Sequence, residues 1–442
     1  MNPLHRATTF AMLSFLAALF AVPPGIARAG TLATLYTFPK GIIPQTGLVA
    51  GPGGALYGAT NKTVYQLVQD AAGRWQQKTI FGTGAFTIVG SATALYAATN
   101  TDNSVYELAP PAKGKTAWTG SILHVFRGGK DGSQPLGLTL APDGSLYGTT
   151  QLGGGASACG SNNGVPTGCG TFFRLVAVNG RWSEQLIHAF TGGVDGAAPV
   201  ASPSIDTAGN VYLTTSAGGV PAKSSDFAPR DIANGCGLLV ARENLKVNGR
   251  EEEVLEEYNL CIQFVLKYYF YPESKPLLTV DAVEQDQTAP MMLPTTASLE
   301  QALIFTTTGG GDQSKFCLET SFDGCGTVAE LIRTSSTTKP WDARFLHVFT
   351  GSDGFSPTGD LTPDGAGRIF GVAGSAVGNC PFQGCGEIFA LVESAKGVWE
   401  FGIVYRFTTD VYPVPQLTLY KGKLLGTTSG YSIPGTIYEV TL

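Results

Sequence analysis

Histidine is the first side chain to test for acid–base chemistry, because its ordinary pKa lies near neutrality. Beyond the first few residues the chain has only His124, His188 and His347. Each stands beside a Phe in a similar short segment, LHVF, IHAF and LHVF again. One residue at one place in successive repeats ends up in different structural units, so the three rings cannot converge on one metal or one triad. A packing role is the simpler reading. Asp131, Asp195 and Asp353 follow closely, in or near the pattern GGxDGxxP. A carboxylate in such a turn ordinarily caps backbone N–H groups. Calcium needs roughly six to eight oxygens, and no D-x-D-x-D-G loop is present. The chain also has no G-x-S-x-G elbow, H-E-x-x-H pair or G-x-x-x-x-G-K phosphate loop. Gly153 to Gly155 are glycine-rich, but no helix pattern follows them to cradle a phosphate. No catalytic residue, cofactor or metal ligand is expected from these motifs.

The cysteines have a second chemistry. There are 8, and four lie in Gly-Cys-Gly: Cys169, Cys236, Cys325 and Cys385. Three of them have a partner a few residues upstream, which predicts the disulfides Cys159–Cys169, Cys317–Cys325 and Cys380–Cys385. Elimination leaves Cys236 with Cys261. A structural zinc centre would need four converging ligands, whereas these pairs are far apart in sequence and have no nearby His. Disulfides imply an oxidising compartment.

The start of the chain agrees. Phe10 to Val22 is apolar, Pro23, Pro24 and Gly25 interrupt it, and Ala27-Arg28-Ala29 follows. That is too short to span a bilayer and reads as a secretory signal, residues 1–29, cleaved near Ala29. A secreted or periplasmic protein is expected, with residues 30–442 forming one domain. The chain stops at Thr441-Leu442 without a hydrophobic tail. Its formal net charge is -6 and its 28 Lys+Arg form no block, so nothing marks a nucleic-acid or anionic-membrane partner. A monomer is expected.

Self-similarity organises the 442 residues. Leu123 to Gly155, Ile187 to Gly219 and Leu346 to Gly378 are three clear copies of one unit, and GCGTFFRLVAVNGRW and GCGEIFALVESAKGVW follow the first and third. Fainter copies begin at Gly47, Ile88, Ala297 and Gln416, which brings the count to seven. Within a unit, GLTLA, LYGTT, TFFRLVAV and EQLIHAF read as four short strands. Pro142-Asp143-Gly144 and Asn179-Gly180 supply the positive φ angles of tight turns. Gly and Pro make up about a fifth of the chain, leaving little room for long helices. Four-stranded units repeated about every 40 to 60 residues predict an all-β, seven-bladed β-propeller. The seventh unit has only three strands, while Thr31 to Phe38 (TLATLYTF) matches the missing fourth. The N-terminal strand should therefore close the last blade beside Gly435 to Leu442.

The string P-x-G-L-x-x-x-x-D-G-x-L-Y-G-T-T-x-x-G-G, followed by G-T-x-F-x-L, resembles the GloVer tandem repeat of secreted bacterial proteins. The similarity is best at Pro135 to Gly155 with Gly170 to Leu175, and looser at Pro357 to Gly378. That resemblance implies export and a propeller-like architecture, and no activity. The fourth unit departs from it: residues 248–290 carry REEEVLEEYNL, aligned with a fourth strand, and then an aromatic insertion around Tyr268 to Tyr271. That aromatic stretch is read as packing on the outside of its blade.

In a four-stranded meander, the loop from strand two to strand three and the connection from strand four to the next blade emerge on one side. The longest insertions, Gln151 to Cys169, Ser216 to Cys236, Thr308 to Cys325 and Ala373 to Cys385, are all of the first kind. They build one variable, disulfide-stiffened rim, where recognition is usually placed. Phe322, Phe382 and Tyr431 lie in or beside these loops and are candidates to stack on a sugar or on an apolar partner group. The leading reading is a non-catalytic module binding an extracellular glycan or protein on this rim. The alternative is a glycan hydrolase or lyase whose carboxylates, drawn from different blades, meet near the central channel.

Overall fold

A computed structural model describes residues 30–99, 101–162, 165–199, 201–206, 208–218, 238–247, 250–259, 291–293, 302–308, 317, 324–334, 341–375, 385–395, 398–408, 411–429 and 433–442. The described elements are antiparallel strands and two 3-10 turns, Pro52–Gly54 and Gly129–Asp131. The described strands form seven blade sheets and one two-stranded ribbon, Ser161–Asn162 with Val165–Pro166. Blade 3 shows the pattern: Ser133–Leu140, Leu146–Leu152, Thr171–Val178 and Arg181–Ala189 pair in that order. Blade 4 uses Ser204–Ile205, Val211–Thr214, Leu238–Val247 and Arg250–Asn259, so the acidic segment takes the fourth-strand place expected of it. The rest of the insertion, from residue 260 to 290, lies outside the described residues, as does the leader, residues 1–29.

The repeat consensus is explained by what each residue touches. In LYGTT, the first threonine, Thr149 or Thr427, donates its hydroxyl across the blade boundary to Ala201 O (3.2 Å) or Thr46 O (2.8 Å). The second, Thr150, Thr307 or Thr428, meets the hydroxyl of a third-strand threonine, Thr171, Thr327 or Thr436, at 2.7 to 2.9 Å. A further first-strand threonine, Thr139, Thr362 or Thr418, donates to the carbonyl of Pro203, Leu417 or Leu48 in the following blade. Glycine is required in L-Y-G because the ring of a third-strand aromatic lies directly over it. A Cβ on Gly58, Gly148, Gly371 or Gly426 would overlap Tyr65, Phe173, Phe389 or Tyr438.

Packing then closes the ring. Among the described residues seven apolar clusters occur, one at each boundary between neighbouring blades. At the boundary of blades 2 and 3, for example, Val105, Leu123 and Phe126 pack with Leu146, Phe173 and Leu175. Each fully buried side chain of this size contributes about 1.5–3 kcal/mol relative to exposure. The final boundary joins Phe38, Leu56 and Tyr65 to Leu425 and Ile437. Thr31–Thr37 pairs antiparallel with Thr436–Thr441, from Thr31 with Thr441 to Thr37 with Thr436, with one register shift between Thr34 and Tyr36. The expected closure by the N-terminal strand is therefore present, and backbone hydrogen bonds tie the two ends of the described chain together.

Candidate binding rim

The side on which the long loops emerge is fixed by direct contacts. The disulfide Cys159–Cys169, in the loop between strands two and three of blade 3, sits on Gly192 in the connection from blade 3 to blade 4. A Cβ there would lie 2.7 and 2.8 Å from the two sulfurs. Ala198 N donates to Cys169 O, and Ser356 N to Cys325 O, each at 2.8 Å, so the same join recurs between blades 5 and 6. Both kinds of loop thus share one rim and are held against each other. Cys317–Cys325 is also formed, with its Cα atoms 4.9 Å apart. Cys385 is disulfide-bonded, and its partner lies outside the described residues. So do Cys236, Cys261 and Cys380, as well as the candidate stacking residues Phe322, Phe382 and Tyr431.

The histidines and aspartates that the sequence presents separately belong together. His124 Nε2 lies 2.9 Å from Asp131, His188 Nε2 3.1 Å from Asp195, and His347 Nε2 3.0 Å from Asp353. Each Asp also accepts a backbone N–H, from Arg127, Thr191 or Thr350. The unit is a closed turn on the rim, repeated in three blades. A register shift just before each His re-aims the ring out of the strand's alternation. The ring then packs edge-on against the buried Phe two residues on, at 4.6 to 4.8 Å. Tyr36 and Tyr405 take the same place against Phe38 and Phe407. A ring that tyrosine can replace is being used for its shape. Burial pushes the Asp353 carboxyl up, but hydrogen bonds from His347 and Thr350 outweigh it and hold it down at about 2.

Two carboxylates interrupt the repeat. Glu387 stands where other blades carry the third-strand threonine. It is fully buried, pairs with Arg406 at 3.1 Å and lies against Gly354 beside the His347–Asp353 turn. Glu184 lies near the His124–Asp131 turn, on the outermost strand of blade 3. Burial raises its pKa, the nearby His124 pulls it back, and Asp131 raises it further. At the corresponding place in blade 6, Phe401 stacks flat on His347 with ring centres 3.6 Å apart. Neither carboxylate was singled out from sequence. Glu387 was detectable as a break in the Gly-Thr pattern, whereas Glu184 has no local signature. Other buried acids serve the fold: Glu330 pairs with Arg344, and Asp206 accepts the N–H groups of Ala208 and Asn210. Among the described residues, no group of three His, Cys, Asp or Glu is placed to hold a metal ion.

The fold and rim define the class as a seven-bladed β-propeller with a cross-linked loop face. No family model matches the chain, and no curated protein is similar to it. Among solved structures, the chain is similar to a catalytically inactive virginiamycin B lyase from Staphylococcus aureus with quinupristin. The identity is 12%, the TM-score 0.50, and 93% of this chain and 99% of that one are covered. A protein of unknown function from Dyadobacter fermentans is 12% identical at a TM-score of 0.42, covering 94% and 98%. A 6-phosphogluconolactonase-like protein from Bacteroides uniformis is 11% identical at 0.42, covering 81% and 85%. At such identities the first likeness concerns the fold alone.

Proposed function

We propose that this protein is a secreted, non-catalytic binding module that holds an extracellular glycan on its loop-rich rim. One observation carries the reading: the described disulfides cross-link the rim, and Cys159–Cys169 also braces the neighbouring connection at Gly192. Stiff, variable loops on a rigid ring limit the ordering cost of binding. Disulfides and the leader-like residues 1–29 support export. Among the described residues no helix is long and apolar enough to cross a membrane. The GloVer resemblance fits the same picture and is retained as a family proposal.

A hydrolase or lyase reading asks for two carboxylates roughly 5–10 Å apart in a cleft. Among the described residues, Glu387 and Glu330 are in ion pairs, Asp131, Asp195 and Asp206 brace turns, and Glu184, near Asp131, stands on an outermost strand and away from the central channel. These roles are the support that the described carboxylates give to the binding reading. The test is a glycan array probed with the native protein and again after mild reduction. Binding that disappears on reduction while the far-ultraviolet spectrum persists is the expected result. A protein ligand in place of a glycan would appear as an array without hits.

A further inference from the structure

We propose that a recess between blades 1 and 2 is a subsite for the N-acetyl group of an amino sugar; this rests on the rim-binding reading above and makes it specific. The recess has a cavity volume of about 80 Å³ and is built from four separate segments of the rim. Its walls are fixed. Asn61 accepts from Ile43 N at 3.0 Å through its side chain and donates its own N–H to Ile43 O at 2.8 Å. Gly84 is pressed onto the same turn, where a Cβ would fall 2.5 Å from the Asn61 carbonyl carbon. Phe86 N is held by Ala98 O at 3.0 Å.

The lining selects the chemistry. Ala85, buried, closes the apolar floor of the recess, and the Phe86 ring stands 37% exposed beside it. The Gln45 amide and the Thr101 hydroxyl also line the recess, and neither side chain is hydrogen-bonded among the described residues. No ionisable side chain lines it, so a charged ligand group would find no counter-ion there. The volume is well above the ~10–15 Å³ needed for one water and well below the ~300 Å³ of pockets that enclose whole small ligands. It admits a substituent, with the sugar ring outside. An acetamido group matches on each count. Its methyl suits Ala85, its carbonyl and N–H suit the donor and acceptor of Gln45 and the Thr101 hydroxyl, and the Phe86 face is left for the ring.

Saturation-transfer NMR on the full chain tests this, with N-acetylglucosamine, glucosamine and glucose as probes. The acetamido methyl should receive the strongest saturation, and glucose and glucosamine little. Gln45→Ala, at a half-buried position, and Phe86→Ala, at an exposed one, should each weaken N-acetylglucosamine binding by on the order of tenfold, the loss of about one good hydrogen bond or contact. Unchanged circular dichroism establishes that both variants fold. If the rim binds saccharides but the acetamido group gives no advantage and both variants bind as the parent does, the recess assignment is wrong and the rim reading stands. If no saccharide binds to the protein at all, on the array or by NMR, both are wrong.

Discussion

Gly148→Ala isolates the steric rule behind the repeat. Gly148 lies outside the left-handed region, so alanine suits its backbone and brings about 0.5–1 kcal/mol of entropic benefit in a strand. The added Cβ, however, would overlap Phe173 Cζ and lie 2.8 Å from Gly137 O and 2.9 Å from Phe173 Cε2. Ordinary carbon contacts need ~3.5–4.0 Å. Phe173 cannot move aside, being fully buried with its ring centre 4.8 Å from that of Phe126. Overpacking of this kind costs about 1–3 kcal/mol, and with two atoms of a fully buried ring within 3 Å the upper part of that range applies, which leaves a net loss of up to about 2.5 kcal/mol. Urea unfolding of the parent and the variant measures it. Gly82→Ala is the control, because nothing stands within 4 Å of its would-be Cβ and its φ is also ordinary. It should be neutral or slightly stabilising. Adding Phe173→Leu to Gly148→Ala should cost less than the sum of the two single changes, because the smaller side chain relieves the overlap. Equal stability of Gly148→Ala and the parent, or strict additivity of the pair, would refute the reasoning.

The buried hydroxyl of Tyr438 has no hydrogen-bond partner, and other blades carry Phe173 and Phe389 at its place. Tyr438→Phe should therefore raise stability by about 1 kcal/mol, read as a higher urea midpoint; a lower midpoint would show that the hydroxyl is bonded. Asp353 is held down at about 2 in the folded chain against an ordinary 3.8, so its contribution is complete above about pH 4 and is lost as the pH falls through about 2. Allowing for solvent screening of a side chain that is 26% exposed, Asp353→Asn should remove about 1 kcal/mol at neutral pH and flatten the acid limb between pH 4 and 2. An unchanged acid limb counts against the assignment. Deleting Thr31–Thr37 should strip hydrogen-exchange protection from Thr436–Thr441, although the two segments stand at opposite ends of the sequence. Unchanged protection there would contradict closure by the N-terminal strand.

The ring was legible because its information is periodic. Copies of LYGTT and GTxF mark blades, and an orphan TLATLYTF beside a three-stranded last unit marks the closure. The pairs Cys159–Cys169 and Cys317–Cys325 were legible from short spacing. The partnership of His124 with Asp131 was only half visible. Both residues recur, but their contact depends on a bulge that turns the ring, and a bulge leaves no residue signature. The recess was not visible. Gln45, Thr60, Ala85 and Thr101 come from different turns, and only the packing of blade 1 on blade 2 brings them together. Glu184 fits the same description, since its neighbours His124 and Asp131 belong to the preceding blade and its connection. Repeats specify what every blade shares, and a binding site is made where blades differ.

The central claim, that the rim binds a glycan and leaves it unchanged, is tested most directly by recovering the ligand. The native protein is incubated with each glycan that the array selects, and bound and free fractions are read by mass spectrometry after several hours. The account predicts retention of an N-acetylated glycan at its original mass, with binding weakened on the order of tenfold in Phe86→Ala. A recovered glycan that is shorter, or carries a new unsaturation, would contradict it and establish the protein as a hydrolase or lyase.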